Sequence, residues 1–211
     1  MPAITKDFFV DKIGNRFPSE AIDFVYDLFS NGHFSLKVSP PRVSKKGDFR
    51  YHVQGQKIPL ITVNADLCRY EFLLVFIHEV AHYNVFIKYK IQDVRSHGAE
   101  WKGEYLLLLQ QLLGNCTLPD DIRQAFVKHG QNVKSSSAMD QHLEDVFQKY
   151  RTQHKDTTSL SKLKVGDKFI LRHELFVVNE FLRTRAICTN MRTKRRFYVQ
   201  GCTAVIQIET M

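Results

Sequence analysis

Residues 76–105, FIHEVAHYNVFIKYKIQDVRSHGAEWKGEY, hold the side chains best suited to chemistry: His78, Glu79, His82 and His97. On a helix, residues i and i+4 lie about 40° apart around the axis and about 6 Å apart along it. Two imidazoles so placed can reach one tetrahedral metal ion, and neutral imidazole nitrogen suits zinc. Zinc brings the pKa of a bound water towards about 7, and a carboxylate next to the ligands, Glu79, can then take its proton. His97 follows after a break and is succeeded by Gly98, whose backbone freedom permits a close turn back to the metal. The plainer reading makes His78 and His82 partly buried helix histidines bonded to carbonyls.

Other residues nearby have chemistry to offer. Tyr83, Arg95 and Tyr105 carry groups that could stabilise an oxyanion, with packing or solvent exposure as the alternative. Glu100 stands three residues after His97 and could ligate a metal or accept an imidazole N–H. Glu100 and Glu104 equally suit a solvated helix start, where the helix dipole favours acids. Trp101, the single tryptophan, fits a core position better than a substrate platform.

The elements that must position these residues follow from periodicity. PSEAIDFVYDLFSNG predicts a helix capped by Ser19 and stopped by a left-handed Gly32. Segments 33–39, 48–53 and 58–64, divided by turn signals at Pro40-Pro41, Lys46-Gly47-Asp48 and Gly55, predict an antiparallel meander. A long apolar helix over 66–90, capped by Asn64 or Asp66, carries the histidine pair. Helices over 99–114, 119–128 and 139–153 follow. Beyond a polar stretch at 154–162, five short alternating segments (168–172, 175–182, 185–190, 196–200 and 203–208) predict a small barrel.

HEVAHYN followed by SHGAEWK resembles the SprT-like metalloproteases, which include the Spartan proteases of DNA–protein crosslink repair. That family joins HExxH on one helix to an HG element opening the next, and SHGAEW (96–101) matches the second element. The entry through strands ending in IPLITVNADL is also similar, so the resemblance spans about residues 17–115. It implies a zincin-like fold, zinc held by His78, His82 and His97, and Glu79 as general base. Many members carry a zinc ribbon with paired cysteines after the catalytic domain. This chain has four scattered cysteines, no CxxC pair, and a basic β segment instead.

That segment is uneven in charge. The net charge is +8 over 211 residues, and residues 160–211 hold ten Lys/Arg against four acids. NMRTKRRFYVQG sets Arg192, Lys194, Arg195 and Arg196 beside Phe197 and Tyr198. Such bases neutralise phosphates and aromatic faces stack on unpaired bases. Alternation along a strand turns one of the two adjacent rings inward. The alternatives are an acidic protein partner or a solvated turn.

No apolar run approaches the roughly 18 residues that span a bilayer, and the N-terminal stretch lacks the apolar core of a signal peptide. The expectation is a cytoplasmic chain with reduced thiols and no membrane partner. Taken together, the sequence predicts an α+β protein. A zincin-like metalloprotease domain spans 1–153, a linker 154–162 and a small basic β domain 163–211. Its chemistry is hydrolysis of a protein or peptide by zinc-bound water, with DNA or RNA as a partner of the β domain. The rival is a non-catalytic nucleic-acid-binding or adaptor protein with a structural zinc, which needs a fourth protein ligand.

Overall fold

The structure, a computed structural model, describes residues 5–42, 45–51, 58–89, 94–133, 140–151, 157–171 and 174–208. The chain is α+β, with six α-helices and two sheets among the described residues. It divides into two compact units, Met1–Ser135 and Ser136–Met211. The division falls earlier than the one expected at 153, and it groups the last helix with the second unit. No helix among the described residues is long and apolar enough to cross a membrane.

The first unit opens with α1 (Lys6–Ile13) and α2 (Ile22–Asn31). The sequence reading gave no helix at α1, whose alternating charges hide the buried Phe9. Phe17 sets its ring edge-on to Phe72 and Phe76, so the N-terminal segment packs on the central helix. Gly32 ends α2 as expected, but with an extended backbone rather than a left-handed one. A Cβ there would lie 2.3 Å from the Phe34 ring, and that close approach is what requires glycine.

Strands β1 (Ser35–Ser39), β2 (Gly47–Arg50) and β3 (Leu60–Asn64) form a sheet of order β1-β3-β2. The expected antiparallel meander is corrected: β1 pairs with β3 in parallel, Ser35 facing Leu60, and only β2 is antiparallel to β3. The reason is burial. All five residues of β3 are buried, as suits a central strand covered on both faces, whereas β1 and β2 are half-exposed edges.

The long helix α3 (Arg69–Lys88) runs behind this sheet, starting after Cys68 rather than after either expected cap. Asn64 serves the strands instead. Its buried Nδ2 donates to the carbonyls of Arg42 (3.3 Å) and Lys45 (3.0 Å), and its Oδ1 accepts from Arg42 Nε (2.8 Å). One side chain thus fixes the connection that delivers β2. Helices α4 (Ala99–Asn115) and α5 (Asp120–Gln131) complete the unit. Buried Glu104 of α4 accepts from Lys88 Nζ (2.8 Å) and Asn84 Nδ2 (3.3 Å), tying α4 to α3.

The second unit contains α6 (Gln141–Tyr150) and strands β4 (Thr157–Ser159), β5 (Lys168–Leu171), β6 (Glu174–Phe181), β7 (Arg185–Asn190), β8 (Arg196–Gln200) and β9 (Ala204–Ile208). The expected barrel is corrected to an open six-stranded sheet of order β4-β9-β5-β6-β7-β8. Part of the expected linker, 154–156, lies outside the described residues. Its remainder supplies β4, which pairs with β9 and takes one edge. β8 takes the other, paired through β7 alone. Leu160, Phe169, Phe176, Val178, Cys188 and Val205 build a core on one face.

Candidate metal centre

His78 and His82 project from the middle of α3, one turn apart. His97 reaches them from the segment that opens α4. The Nε2 atom of His97 lies 3.1 Å from that of His78 and 3.0 Å from that of His82. A tetrahedral zinc with Zn–N of about 2.0–2.1 Å sets its nitrogens about 3.3 Å apart, so this spacing fits one ion with little adjustment. The three residues form a potential metal-binding group, and the described residues add no acid or thiol to it. Glu100 is therefore not a ligand. Glu104 is taken by Lys88 and Asn84.

The close turn before α4 works differently from the expected one. His97 itself takes the left-handed backbone, at φ 60°, while Gly98 is an extended N-cap with its N–H donated to the Arg95 carbonyl at 2.9 Å. His97 Nδ1 lies 3.3 Å from Ser96 Oγ. With Nε2 free to coordinate, Nδ1 carries the proton and Ser96 accepts it, which fixes the tautomer.

The electrostatics suit a cation. Burial pushes His78 well below the ordinary imidazole pKa, helped by repulsion from His82, His97 and His129. Burial and His97 bring His82 down to about 4, and burial also lowers His97. All three are neutral at pH 7, the form that ligates. Glu79 is 6% exposed, and burial followed by the negative Asp48 raises its pKa to about 8 against the pull of Arg42, Lys45 and the Phe49 N–H. Asp48 itself is held below the usual carboxylate range by Lys45 and Arg50, despite partial burial.

Residues that sequence reasoning missed lie on β2. Asn64 N–H donates to the Lys46 carbonyl at 2.9 Å, so the bonded pairs with β3 involve residues 46, 48 and 50. The polar backbone groups of Gly47 and Phe49 therefore point away from β3, and the Phe49 N–H bonds the Glu79 carboxyl. A Cβ on Gly47 would fall 2.4 Å from Glu79 Oε1. Gly47, expected in a turn at Lys46-Gly47-Asp48, instead opens β2, where glycine permits this close approach.

Of the oxyanion candidates, Tyr105 meets the cluster, its ring 5.9 Å from that of His78. Tyr83 turns to the other side of α3, where its hydroxyl accepts the His33 N–H at 2.9 Å and a cleft of about 330 Å³ opens between α2 and α3. Tyr105 is buried and stacked on Trp101. Arg95 is exposed, its carbonyl bound by Gly98.

In the second unit the basic residues do not converge. Asn190 holds their turn: its Oδ1 accepts the N–H groups of Arg192 (3.0 Å) and Thr193 (2.8 Å) and its Nδ2 donates to Glu174 (2.7 Å). Arg192 pairs with Glu174. Phe197 sets its ring edge against core residue Phe176 at 5.7 Å and is 38% exposed, while Tyr198, on the other face with Arg196, is 67% exposed.

Comparison of the chain with models of known families, with curated proteins and with solved structures gave no match.

Proposed function

We propose that the protein is a zinc-dependent peptidase of SprT-like type, with a zincin-like catalytic unit in which His78, His82 and His97 hold the metal and Glu79 is the general base. The observation that carries this reading is the meeting of three imidazoles, with the Nε2 atoms of His78 and His82 at 3.1 and 3.0 Å from that of His97. Zinc held there supplies a Lewis acid for a water and for a carbonyl oxygen. Glu79 takes the proton of the attacking water and passes it to the departing amide nitrogen, so its carboxyl ends the cycle as it began. The charge of an ion held between the neutral imidazoles would draw Glu79 back to its ionised form. The outer edge of β2, unpaired with any strand among the described residues, supports a polypeptide substrate: an extended chain pairing with Gly47 and the Phe49 carbonyl would pass Glu79. A three-ligand set suits a site with an open position better than the closed four-ligand site of a structural zinc.

The test is metal content together with hydrolysis of an unfolded protein. The expected result is one zinc per chain and turnover that falls by about 100-fold or more in Glu79→Gln with zinc retained. Equal turnover in the two proteins would remove Glu79 as base and the enzyme reading with it.

A second reading concerns β8. Arg196 and Tyr198 share one exposed face of an edge strand, beside the turn bases Lys194 and Arg195. We infer that this face binds single-stranded nucleic acid, phosphates meeting the bases and Tyr198 stacking on an unpaired base. Arg192, engaged with Glu174, and Phe197, turned to the core side, contribute less. The protein substrates of such an enzyme would be those associated with nucleic acid.

A further inference from the structure

We propose that Trp101 is a positioning residue of the metal centre, the wall that sets all three histidine rings and closes the side of the centre across from Glu79. The inference rests on the reading of His78, His82 and His97 as metal ligands. The Trp101 ring centroid lies 4.6 Å from His78, 5.4 Å from His82 and 4.6 Å from His97. One flat side chain therefore touches every member of the cluster, and it is 1% exposed.

The wall is itself held from two directions. Its indole N–H donates to the His78 carbonyl at 3.4 Å, a link from α4 to the helix turn that bears the ligand. Behind it Tyr105 stacks nearly parallel, with centroids 5.1 Å apart and planes 11° apart, and His129 of α5 meets the Tyr105 edge at 5.9 Å. The Lys88–Glu104 pair ties α4 to α3 one turn further on.

The need for such a wall follows from the chain. His78 and His82 share a helix, which fixes their Cα atoms but leaves two side-chain torsions each. His97 belongs to another segment and stands on a left-handed backbone. A rigid plane against all three rings removes those freedoms before any ion arrives, which raises affinity without adding a ligand. It also sets direction. At about 100° per residue, Asn84 and Lys88, which face α4, lie across α3 from Glu79, which faces β2. With indole, Tyr105 and α4 filling the first side, a fourth ligand reaches the ion from the second.

The experiment uses the full chain and two probes, Zn²⁺ and Co²⁺ alone. Trp101 is the only tryptophan, so emission reports on this site without labelling. Co²⁺ binding should quench most of that emission at one equivalent. W101F, which keeps a flat ring, should bind within about 3-fold of wild type and keep the tetrahedral Co²⁺ absorption bands. W101L, similar in apolar character but not planar, should lose about 10–100-fold in affinity and shift those bands towards higher coordination, with unchanged helical circular dichroism. W101L matching wild type in affinity and spectrum, or Co²⁺ binding with emission unchanged, would overturn the proposal. If W101L does not fold, wild-type quenching and the W101F spectrum decide. A wild-type chain that takes up neither ion overturns both this inference and the enzyme reading. Metal uptake as described without Glu79-dependent hydrolysis overturns the enzyme reading alone.

Discussion

The first unit brings its polar groups inward and gives each a partner; the second sends its charges outward along a sheet edge. In the first, Asn64, Glu71, Glu79, Glu104 and His129 are all buried. Asn64 holds a loop, Glu71 pairs with Lys46, and Glu104 clamps two helices. Fixed groups in a dry site act far more strongly than in water, which suits the proposed centre at His78, His82 and His97. The second unit also buries Glu144 against Arg151 and Asn190 at a turn, but the bases it presents at Lys194, Arg195 and Arg196 face outward beside and on β8. Dispersed charge suits a polymer met at many points, each contact weak and screened by salt.

The contrast breaks most sharply at His97. His97→Ala should lower zinc affinity by at least about 100-fold, read by competition with a chromophoric chelator. Unchanged affinity would leave a two-histidine site and end the idea of convergence. Gly47→Ala comes next. Its methyl group would collide with Glu79 Oε1 and Val75, so turnover should fall by about 10-fold or more with zinc content kept, and stability by about 1–3 kcal/mol. Full activity in this variant would mean that β2 does not seat the carboxyl.

In the second unit, the background should be the full-length Glu79→Gln chain bound to a single-stranded oligonucleotide. Replacing Lys194, Arg195 and Arg196 by Ser should flatten the salt dependence of binding by up to about 2 units of log–log slope. Tyr198→Ala should cost about 1 kcal/mol of affinity and leave thermal stability alone. Phe197→Ala should do the reverse, since its ring meets Phe176. Indifference of binding to both the bases and Tyr198 would assign the charge to a protein partner.

A last comparison is a pH dependence in the chelator-treated protein. Glu79 has a folded pKa of about 8 against an ordinary 4.5, so the folded state binds the extra proton between those values. Its contribution to stability is present below pH 4.5 and is lost as pH rises to about 8, up to about 5 kcal/mol in all. The histidines run the other way. Their depressed pKa values, about 4 for His82, give stability that is present above about pH 6.5 and lost as pH falls through the folded values. Comparing melting temperatures of wild type and Glu79→Gln isolates the first effect, because the histidines are common to both. A gap that stays constant from pH 4.5 to 8 would put Glu79 in water.

Where information is local, the sequence was a good guide. The expected segments of 185–190 and 196–200 match β7 and β8 residue for residue. The histidine helix needed only its ends trimmed. Partner choice was not local. Nothing in HFSLKVS says that β1 pairs with a strand about 25 residues away in parallel, and Thr-Thr-Ser has no apolar alternation to mark β4. Glycines misled in kind, not in place. Gly32 and Gly98 sit at the helix ends where they were expected, yet the left-handed turn fell to His97, because a ligand must be aimed from that residue. Trp101 was legible as core. Its second face, against the imidazoles, needed the packing of α4 on α3.

The order of strands in the first sheet also bears on when the molecule can work. β1 and β2 do not pair with each other; both wait for β3. On a ribosome adding about 5–20 residues per second, β1 stays without a neighbour for roughly 1–5 s after its own last residue is made. The histidine pair follows on α3, then His97, and the indole that sets them only after that. The nascent chain thus completes this sheet before the proposed metal centre, and a chain stalled short of His97 has the frame of that centre but only two of its three histidines.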